Sequence, residues 1–378
     1  MPSDVKRKLC IVSPYEHGGG AEYQISLLID ALNAAGQYEI YYLAHFVDVR
    51  ARTRNYTISQ VGRGGAMPRL GYVMDAVSLY RRLREIDPCV IYQRVACAYT
   101  GICALYARRR SVPLLWHVAH DTDVSPQVLD PGRNFVRVRL EKWAIAYGAR
   151  HATRIIAQTE HQSQLLVRHF ARHADAVIPN FHLPATETID KSGPLTVVWV
   201  ANLKPWKRPE AFVDLAESLR DCDGVRFIMV GAPAAKSGNE YWQESLMRRI
   251  GETKNLQYLG AMSQADVNGL LGRAHIFVNT SMHEGFPNTF IQAWLRDVVV
   301  VSLNVDPDGA LAQQQVGIVA HSEGGLTQAV RGLIDHPEVR SAFAERGRRH
   351  AAAHHSLRNA QDLIGLMDSS ASSSMGGA

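Results

Sequence analysis

Short apolar runs alternate with longer helical patterns through both halves of the chain. Each run spans only a few residues, the length of one buried strand, and turn-forming residues separate it from the helical stretch that follows. This alternation is typical of βα units, which build parallel sheets. In the first half, the predicted strands are 9–13, 39–43, 89–93, 113–118, 154–158 and 176–178.

The alternation lapses between residues 179 and 195, where Pro179, Asn180 and Pro184 begin a polar stretch typical of a linker. It resumes in the second half, with predicted strands 196–200, 226–230, 256–259, 274–278 and 298–302. We therefore predict an α/β chain of two open domains, residues 1–185 and 186–368, with the last helices able to pack back on the first domain. Residues 369–378 are rich in Ser and Gly, and we predict a disordered tail there.

Two open α/β sheets joined by a linker imply a cleft, because ligands of such sheets bind at the carboxyl ends of the strands. A length of 378 residues and a hydrophobic fraction of 46% suffice for two ordinary cores. No segment nears the ~20 apolar residues of a membrane span, and the apolar run after Lys8 is too short for a signal peptide, so we expect a cytoplasmic protein. Five cysteines, without C-x-x-C spacing, are expected to be structural thiols.

Charge is divided unevenly along the chain. Residues 1–185 hold 23 Lys/Arg against 15 Asp/Glu, a net charge of +8, whereas residues 186–378 hold 18 against 21. The basic first half suits an anionic membrane face, a phosphorylated acceptor or nucleic acid, and it also fits a solvated, arginine-rich surface. The sequence has no basic motif interleaved with aromatic residues, so nucleic acid is not an expected partner. It also lacks H-E-x-x-H and any regular His/Asp cluster, so we expect no bound metal.

The strongest chemical signal in the chain is the segment Glu284-Gly285-Phe286-Pro287-Asn288-Thr289. It follows an apolar run at 276–278, and its glycine and proline break that strand before a helix that we expect Thr289 to cap. Backbone N–H groups at a helix start bind anions such as a diphosphate, and Glu284 could then hydrogen-bond the hydroxyls of an attached sugar. The same pattern also fits an ordinary turn with an exposed carboxylate.

Two further loops follow the first predicted strand of each half. The glycines Gly18-Gly19-Gly20 let a backbone approach a ligand and point N–H groups at phosphate, although a flexible turn is the alternative. In the second half, Lys207 and Arg208 precede a helix that we expect Pro209 to open. These two cations can hold positive charge over a diphosphate, although solvated basic residues are common in loops.

A fourth candidate is His120, which follows the strand predicted at 113–118 and is therefore expected to face the cleft. A lone histidine is more often a structural residue than a catalytic one. Two other ligand motifs are incomplete. Tyr23 stands where a dinucleotide fingerprint would want glycine, and the glycine loop lacks the Lys and Ser/Thr of a P-loop.

In their order and spacing, these segments resemble the family 4 glycosyltransferases, which are retaining enzymes of the GT-B fold. The resemblance covers nearly the whole chain. It implies two Rossmann-like domains that face each other across a cleft, the second holding a nucleotide sugar and the first the acceptor. Besides the glycine loop and the His120-Asp121 pair, it rests on Ile178-Pro179-Asn180, the Lys207 loop, 227–231, 255–260 and 281–289.

The resemblance also implies roles for individual residues. Glu284 matches the first acid of the family's E-x7-E motif and would contact the donor sugar. Lys207 would neutralise the diphosphate, and His120 would lie near the reacting sugar. The implied donor-binding residues are Gly19, Gly20, Asn202, Arg208, Gly285, Phe286, Pro287, Asn288, Thr289 and Gln292.

The chain departs from the family pattern at two of these positions. The second acid of E-x7-E is replaced by Gln292, whose amide can hydrogen-bond ribose hydroxyls but carries no charge. Asn202 stands where many members have an Arg that binds phosphate. Losing such a charged hydrogen bond weakens donor binding by about 1–3 kcal/mol unless Lys207, Arg208 or Lys204 supplies the positive charge.

The function implied is transfer of a sugar, with retention, from a nucleoside diphosphate donor to an acceptor hydroxyl, without a metal or a permanently bound cofactor. Similar members build bacterial surface polysaccharides, so we expect a saccharide or lipid-linked saccharide acceptor, with docking on the inner face of the cytoplasmic membrane as a hypothesis. One alternative is a nucleotide-sugar-binding partner that has lost catalysis, which Gln292 and Asn202 motivate. A GT-B epimerase or phosphorylase is another, whereas Tyr23 disfavours a nicotinamide-dependent dehydrogenase.

Overall fold

The computed structural model describes residues 6–48, 54–62, 71–125, 135–233 and 240–375. The chain forms two compact units. The first contains Met1–Phe181 together with Leu357–Ala378, and the second contains His182–Ser356. The chain therefore passes from one unit to the other twice.

In the first unit, the described residues form a sheet of seven parallel strands in the order β3-β2-β1-β4-β5-β6-β7. Its central strands are buried on both faces, which explains their nearly continuous apolar sequence. The strands are β1 (Arg7–Val12), β2 (Tyr38–Ala44), β3 (Thr57–Gln60), β4 (Val90–Arg94), β5 (Leu114–His117), β6 (Arg154–Ala157) and β7 (Ala176–Val177).

Helices pack on both faces of this sheet. They include α1 (Gly20–Ala35), α2 (Ala76–Ile86), α3 (Ala98–Arg110), α4 (Phe135–His151) and α5 (Glu160–Phe170). Alternate residues of β1 enter two different cores, because successive side chains of a strand point to opposite faces. Cys10 and Val12 pack with α2 to α5, whereas Leu9 and Ile11 pack with α1. Gly101 of α3 lies against the backbone of Ala144, where a Cβ would clash, so α3 and α4 pack very closely.

In the second unit, the described residues form a sheet of six parallel strands in the order β10-β9-β8-β11-β12-β13. The strands are β8 (Thr196–Val200), β9 (Arg226–Val230), β10 (Leu256–Tyr258), β11 (Ile276–Asn279), β12 (Val299–Ser302) and β13 (Gly317–Val319). The helices are α6 (Pro209–Ser218), α7 (Glu240–Glu252), α8 (Gln264–Arg273), α9 (Asn288–Trp294), α10 (Ala310–Gln313), α11 (Glu323–Asp335) and α12 (Pro337–His354).

The last helix, α13 (Leu357–Met375), belongs to the first unit. Its residues Leu363, Met367 and Ala371 are buried in the core beside α1, and the Tyr38 hydroxyl donates a hydrogen bond to Asp368 at 2.7 Å. The range 186–368 predicted for the second domain therefore extends past its end at residue 356. Residues 369–375, predicted as disordered, are helical because Ala371 supplies a core contact within a Ser-rich stretch. Residues 376–378 lie outside the described residues.

Every predicted strand overlaps an observed one, but the apolar pattern does not predict β3 or β13. Both lie at an edge of their sheet. In β3, Thr57 and Gln60 are exposed, and β13 begins at Gly317. An edge strand pairs on one side only and is covered less completely, so its sequence does not need a continuous apolar run.

In each sheet the strand order reverses at one point, between β1 and β4 in the first and between β8 and β11 in the second. The second sheet thus has the order 3-2-1-4-5-6 of a dinucleotide-binding fold. Ligands of open α/β sheets bind outside the carboxyl ends of the strands at such a point. In the second unit, this rule predicts a ligand site at the loops that follow β8 and β11.

Candidate active site

The loops that follow β8 and β11 are joined by hydrogen bonds. The Met282 N–H donates to the Trp206 carbonyl at 2.9 Å, and the Thr280 hydroxyl donates to the Lys207 carbonyl at 2.6 Å. The indole of Trp199, near the end of β8, donates in turn to the Thr280 hydroxyl at 2.8 Å. The two loops therefore form one connected surface at the carboxyl edge of the sheet.

Lys207 and Glu284 form an ion pair on this surface. Ser281 Oγ donates a hydrogen bond to the same Glu284 oxygen at 2.7 Å, and this bond holds the carboxylate in place beside Lys207. The two side chains are 20% and 11% exposed, so the pair is largely shielded from water yet open to a ligand. Shielding strengthens the attraction between the charges. Each charge is the partner of the other, so an anionic ligand has to compete with Glu284 for Lys207.

Arg208 follows Lys207 but points to a different partner. Its guanidinium pairs with Glu323, the first residue of α11. Its backbone has φ 49° and ψ 53°, the left-handed conformation, which costs a non-glycine residue about 1 kcal/mol or more. Asn202 is exposed in the loop after β8. The structure therefore brings Lys207 to Glu284 and leaves Arg208 engaged with α11.

Helix α9 begins at Asn288, and the prediction that Thr289 caps it is wrong. Pro287 occupies the N-cap position with φ −66° and ψ 122°, and no side chain caps the helix. Proline suits this position because it has no N–H to leave unpaired and its φ is already fixed. Thr289 therefore lies inside the first turn. Pro209, in contrast, begins α6 as predicted.

Gly285 and Phe286 are buried behind the start of α9. The Phe286 ring packs on His355 with centroids 4.4 Å apart, and His182 Nε2 lies 3.4 Å from Asn288 Oδ1. The His182 N–H also donates to the His355 carbonyl at 2.9 Å. The two histidines near the ends of the second unit thus support the Glu284–Thr289 segment from behind.

Burial lowers the pKa of His182 to about 4, against an ordinary value of about 6.5. The neutral imidazole therefore contributes fully to the free energy of unfolding above about pH 6.5. This contribution is lost as the pH falls from about 6.5 to about 4, and the free energy of unfolding then drops by about 3 kcal/mol. In a His182→Gln variant, the free energy of unfolding should decline less between pH 7 and pH 4, as measured by urea denaturation. The exposed His336 provides a control substitution, and an equally steep decline in both variants would contradict the assignment.

Gln292, the replacement for the second acid, is 2% exposed and faces α8. Its amide nitrogen donates to Gln264 Oε1 at 3.0 Å and to Asn268 Oδ1 at 2.8 Å. Gln264 and Asn268 each carry both an amide oxygen and an NH2 group, so this contact could accept either glutamine or glutamate at position 292. In this structure the Gln292 amide nitrogen is engaged within the protein.

In the first unit, the glycine loop Gly18-Gly19-Gly20 packs against the carboxylate of Glu22. Gly18 has φ 115°, and Gly19 is the N-cap residue of α1, with Gly20 as the first helical residue. The Glu22 carboxylate would clash with a Cβ at Gly19, and it accepts hydrogen bonds from the backbone N–H groups of Gly19 and Glu22. Burial nevertheless raises the pKa of Glu22 above its usual range. The anion at the start of α1 is therefore Glu22, a residue to which the sequence pattern gives no role.

This contact predicts a rescue between two substitutions. Gly19→Ala should lower the free energy of unfolding by about 1 kcal/mol, because the new methyl group displaces the Glu22 carboxylate. Adding Glu22→Ala should remove that conflict, so the double variant is less destabilised than the sum of the single variants in a urea-denaturation cycle. Gly18→Ala is the control, since it strains the backbone without meeting an atom within 4 Å. Strict additivity of Gly19→Ala and Glu22→Ala would disprove the contact.

Arg94, at the end of β4, is a second buried charge beside this loop. It is 2% exposed, and it donates to Asn180 Oδ1 at 2.6 Å and to the Tyr92 hydroxyl at 3.2 Å. Burial and then the Arg94 charge hold the pKa of His117 well below its ordinary value. The same charge opposes the rise in the pKa of Glu22. The sequence did not predict Arg94 as a site residue, because an arginine after an apolar run has the pattern of an ordinary polar residue at the end of a strand.

His120 caps the short 3-10 helix Asp121–Asp123. Its Nδ1 accepts the Thr122 N–H at 3.1 Å, so a neutral His120 carries its proton on Nε2. Asp123 accepts the N–H groups of Ala119 and His120 at 2.9 and 3.2 Å, and burial raises the pKa of this carboxyl. The loop after β5 therefore holds an oriented imidazole that can donate a hydrogen bond through Nε2.

Two family models match this chain. Residues 18–182 match the model described as Glycosyltransferase Family 4, and residues 194–336 match the model described as Glycosyl transferases group 1. The chain belongs to the family 4 glycosyltransferases. No curated protein sequence matches this family 4 glycosyltransferase at a significant level.

Solved structures of other glycosyltransferases have the same fold. The chain is 14% identical to WaaG, a glycosyltransferase involved in lipopolysaccharide biosynthesis, with a TM-score of 0.76 over 95% of this chain and 99% of WaaG. For sucrose-phosphate synthase from Thermosynechococcus elongatus, the identity is 14% and the TM-score 0.75, over 96% and 98% of the chains. For Anabaena HepE, in complex with UDP and glucose, the values are 16% and 0.74, over 96% and 100%. The predicted GT-B fold of this family 4 glycosyltransferase is confirmed.

Proposed function

We propose that this glycosyltransferase moves a sugar from a nucleoside diphosphate donor to an acceptor hydroxyl, with retention at the anomeric carbon and without a metal ion. The observation that carries the proposal is the Lys207–Glu284 pair at the carboxyl ends of β8 and β11. A cation beside a carboxylate suits a ligand that combines an anionic diphosphate with a polyhydroxylated sugar. HepE has been solved with UDP and with UDP-glucose, which supports a UDP-sugar as the first donor to test.

In this proposal, the bond between the anomeric carbon and the diphosphate oxygen breaks while the acceptor oxygen bonds from the same face. The acceptor proton passes to the departing phosphate oxygen. Lys207 stabilises the charge that develops on the diphosphate, and Glu284 accepts hydrogen bonds from the sugar hydroxyls. His120 donates a hydrogen bond through Nε2–H beside the reacting sugar and keeps its proton. The proposed donor-binding residues remain Gly19, Gly20, Asn202, Arg208, Gly285, Phe286, Pro287, Asn288, Thr289 and Gln292.

The acceptor that we propose is a saccharide or a lipid-linked saccharide, in bacterial polysaccharide or glycolipid synthesis. The likeness to WaaG, which acts in lipopolysaccharide biosynthesis, supports this class. The net charge of +8 in residues 1–185 supports activity at the inner face of the cytoplasmic membrane. No permanently bound cofactor enters the proposed reaction.

Thermal-shift measurements with UDP-, GDP- and ADP-sugars test the donor, because a ligand that binds the folded state raises the melting temperature by mass action. The stabilising donor is then incubated with saccharide acceptors, and NMR of the anomeric proton reports the configuration of the product. We expect one nucleotide class to stabilise the protein and the product to keep the donor configuration. An inverted product would disprove retention. Stabilisation without transfer or hydrolysis across the acceptor panel would favour a binding protein that has lost catalysis.

A further inference from the structure

Helices α2, α3 and α4 of the first unit form one layer that is strongly basic. Together they carry ten Lys/Arg and two Glu residues. One of the two acids, Glu141, accepts the backbone N–H groups of Tyr72 and Ala98 at 2.7 Å each, so it serves the interior of the unit. The net charge of these three helices is +8, which equals the net charge of residues 1–185.

An apolar groove of about 690 Å³ runs between α2 and α3. Val77, Tyr80 and Ile102 contribute its apolar lining, and Arg84 and Arg109 lie in the same lining. Val77 is 82% exposed although it is a large aliphatic residue. The groove thus combines apolar surface with two exposed arginines.

Helix α4 presents a second apolar feature to solvent. Val136, Leu140 and Trp143 are exposed, and with Tyr147 they recur at the spacing of one helix face. The Trp143 ring, 68% exposed, stacks on Tyr147 with centroids 5.5 Å apart. A row of exposed apolar residues on a monomer marks a surface for interaction more often than a chance exposure.

We propose that the outer face of α2, α3 and α4 docks on an anionic lipid surface. The arginines pair with lipid phosphates, and Trp143 and Val77 enter the headgroup region. Tryptophan is favoured at that depth because its ring is apolar and its N–H remains hydrogen-bonded. None of the helices in the described ranges is long and apolar enough to cross a membrane, so the contact is peripheral.

Charge and apolar exposure together favour a membrane over a nucleic acid. A nucleic acid would pair with the arginines but would leave the aliphatic Val77, Val136 and Leu140 without a complementary surface. A lipid surface satisfies both, since each basic residue near anionic headgroups contributes about 1 kcal/mol and inserted side chains add apolar burial. The inference rests on the proposed function in one respect, because a lipid-linked acceptor would explain why the enzyme is held at a membrane.

Co-sedimentation with vesicles tests the proposal. The full chain should bind vesicles that contain phosphatidylglycerol, bind phosphatidylcholine vesicles weakly, and lose the difference at high salt because salt screens the charges. Arg84→Ala with Arg109→Ala should weaken binding about 30-fold, at about 1 kcal/mol for each residue. Val77→Ser with Trp143→Ala should weaken it about 10-fold or more. Binding to phosphatidylcholine that equals binding to the anionic vesicles would overturn the electrostatic part.

Matched controls come from the second unit. Arg226→Ala with Arg248→Ala removes the same charge from two exposed arginines, and Tyr241→Ala removes an aromatic residue that is 82% exposed. These variants should bind vesicles like the natural protein. The proposal is overturned if the natural protein ignores anionic vesicles, if the controls lose as much binding as the α2–α4 variants, or if RNA displaces the vesicles completely. Thermal stabilisation by UDP and transfer to a soluble acceptor are measured on every variant, so a failure of docking is distinguishable from a failure of the proposed reaction.

Discussion

Replacing Lys207 by alanine is expected to lower turnover by about a hundred- to a thousandfold. The structure pairs the Lys207 cation with Glu284 at the carboxyl ends of β8 and β11, and the Lys207 charge is needed most when negative charge builds up on the departing diphosphate. Removing one such donor from a preorganised site costs about this much in other enzymes. Binding of UDP should weaken as well, by about 1–3 kcal/mol, because the charged contact is also made before the reaction. Steady-state kinetics and calorimetric titration with UDP measure the two effects.

The melting temperature of the Lys207→Ala variant should remain nearly unchanged, because a partly exposed ion pair adds little to stability. Lys254→Ala is the matched control. Lys254 is exposed in the turn that precedes β10, at the amino edge of the sheet. The Lys254→Ala variant therefore loses the same charge far from the proposed site. Full activity of Lys207→Ala, or an equal loss in Lys254→Ala, would show that the site is placed wrongly.

The second large effect is expected at Glu284, and its signature differs from that of Lys207. Glu284→Gln should lower turnover about a hundredfold, because the carboxylate no longer holds the sugar hydroxyls in the reacting geometry. Affinity for UDP alone should stay the same or rise, since Lys207 is freed from its partner and becomes available to the diphosphate. Affinity for the whole donor should fall, and Glu284→Ala should abolish most turnover with a nearly unchanged melting temperature.

Comparing UDP with a UDP-sugar therefore separates the two roles. A control for the release of a cation is Glu323→Gln, which frees Arg208 in the same way but leaves the Lys207–Glu284 pair intact. That variant should keep most of its turnover. If Glu284→Gln weakened UDP and the UDP-sugar equally, Glu284 would not be acting on the sugar. A double-mutant cycle with Lys207→Ala gives the coupling between the two residues directly.

The pattern of apolar residues predicts the centre of each sheet better than its edges. A central strand such as β1 is covered on both faces, so burial imposes an apolar identity on its residues 9–12 and makes the strand visible in the sequence. The edge strand β3 has only partial cover, and packing does not constrain Thr57 or Gln60 in the same way. The end of helix α13, residues 369–375, escaped prediction for a related reason. Ala371 enters the core without changing the Ser-rich composition around it.

The candidate site was predictable in its location but not in its internal contacts. Loops that follow adjacent strands at a switch point must lie close together, so topology alone brings Lys207 near Glu284. The partners that now hold Arg208 and Gln292 are side chains from other helices, Glu323 and Asn268. Such contacts depend on side-chain directions that no local pattern encodes. Arg94 is similar, since its partner Asn180 is 86 residues away.

The path of the chain at its end has a consequence for engineering this enzyme. Because α13 returns to the first unit, that unit is assembled from both ends of the sequence, and the second unit is an insertion within it. A chimera that joins the first half of one enzyme to the second half of another would carry a foreign terminal helix against Leu9 and Ile11 of the host. A transplant of donor specificity should therefore exchange His182–Ser356 as an internal cassette and keep the host's own last helix.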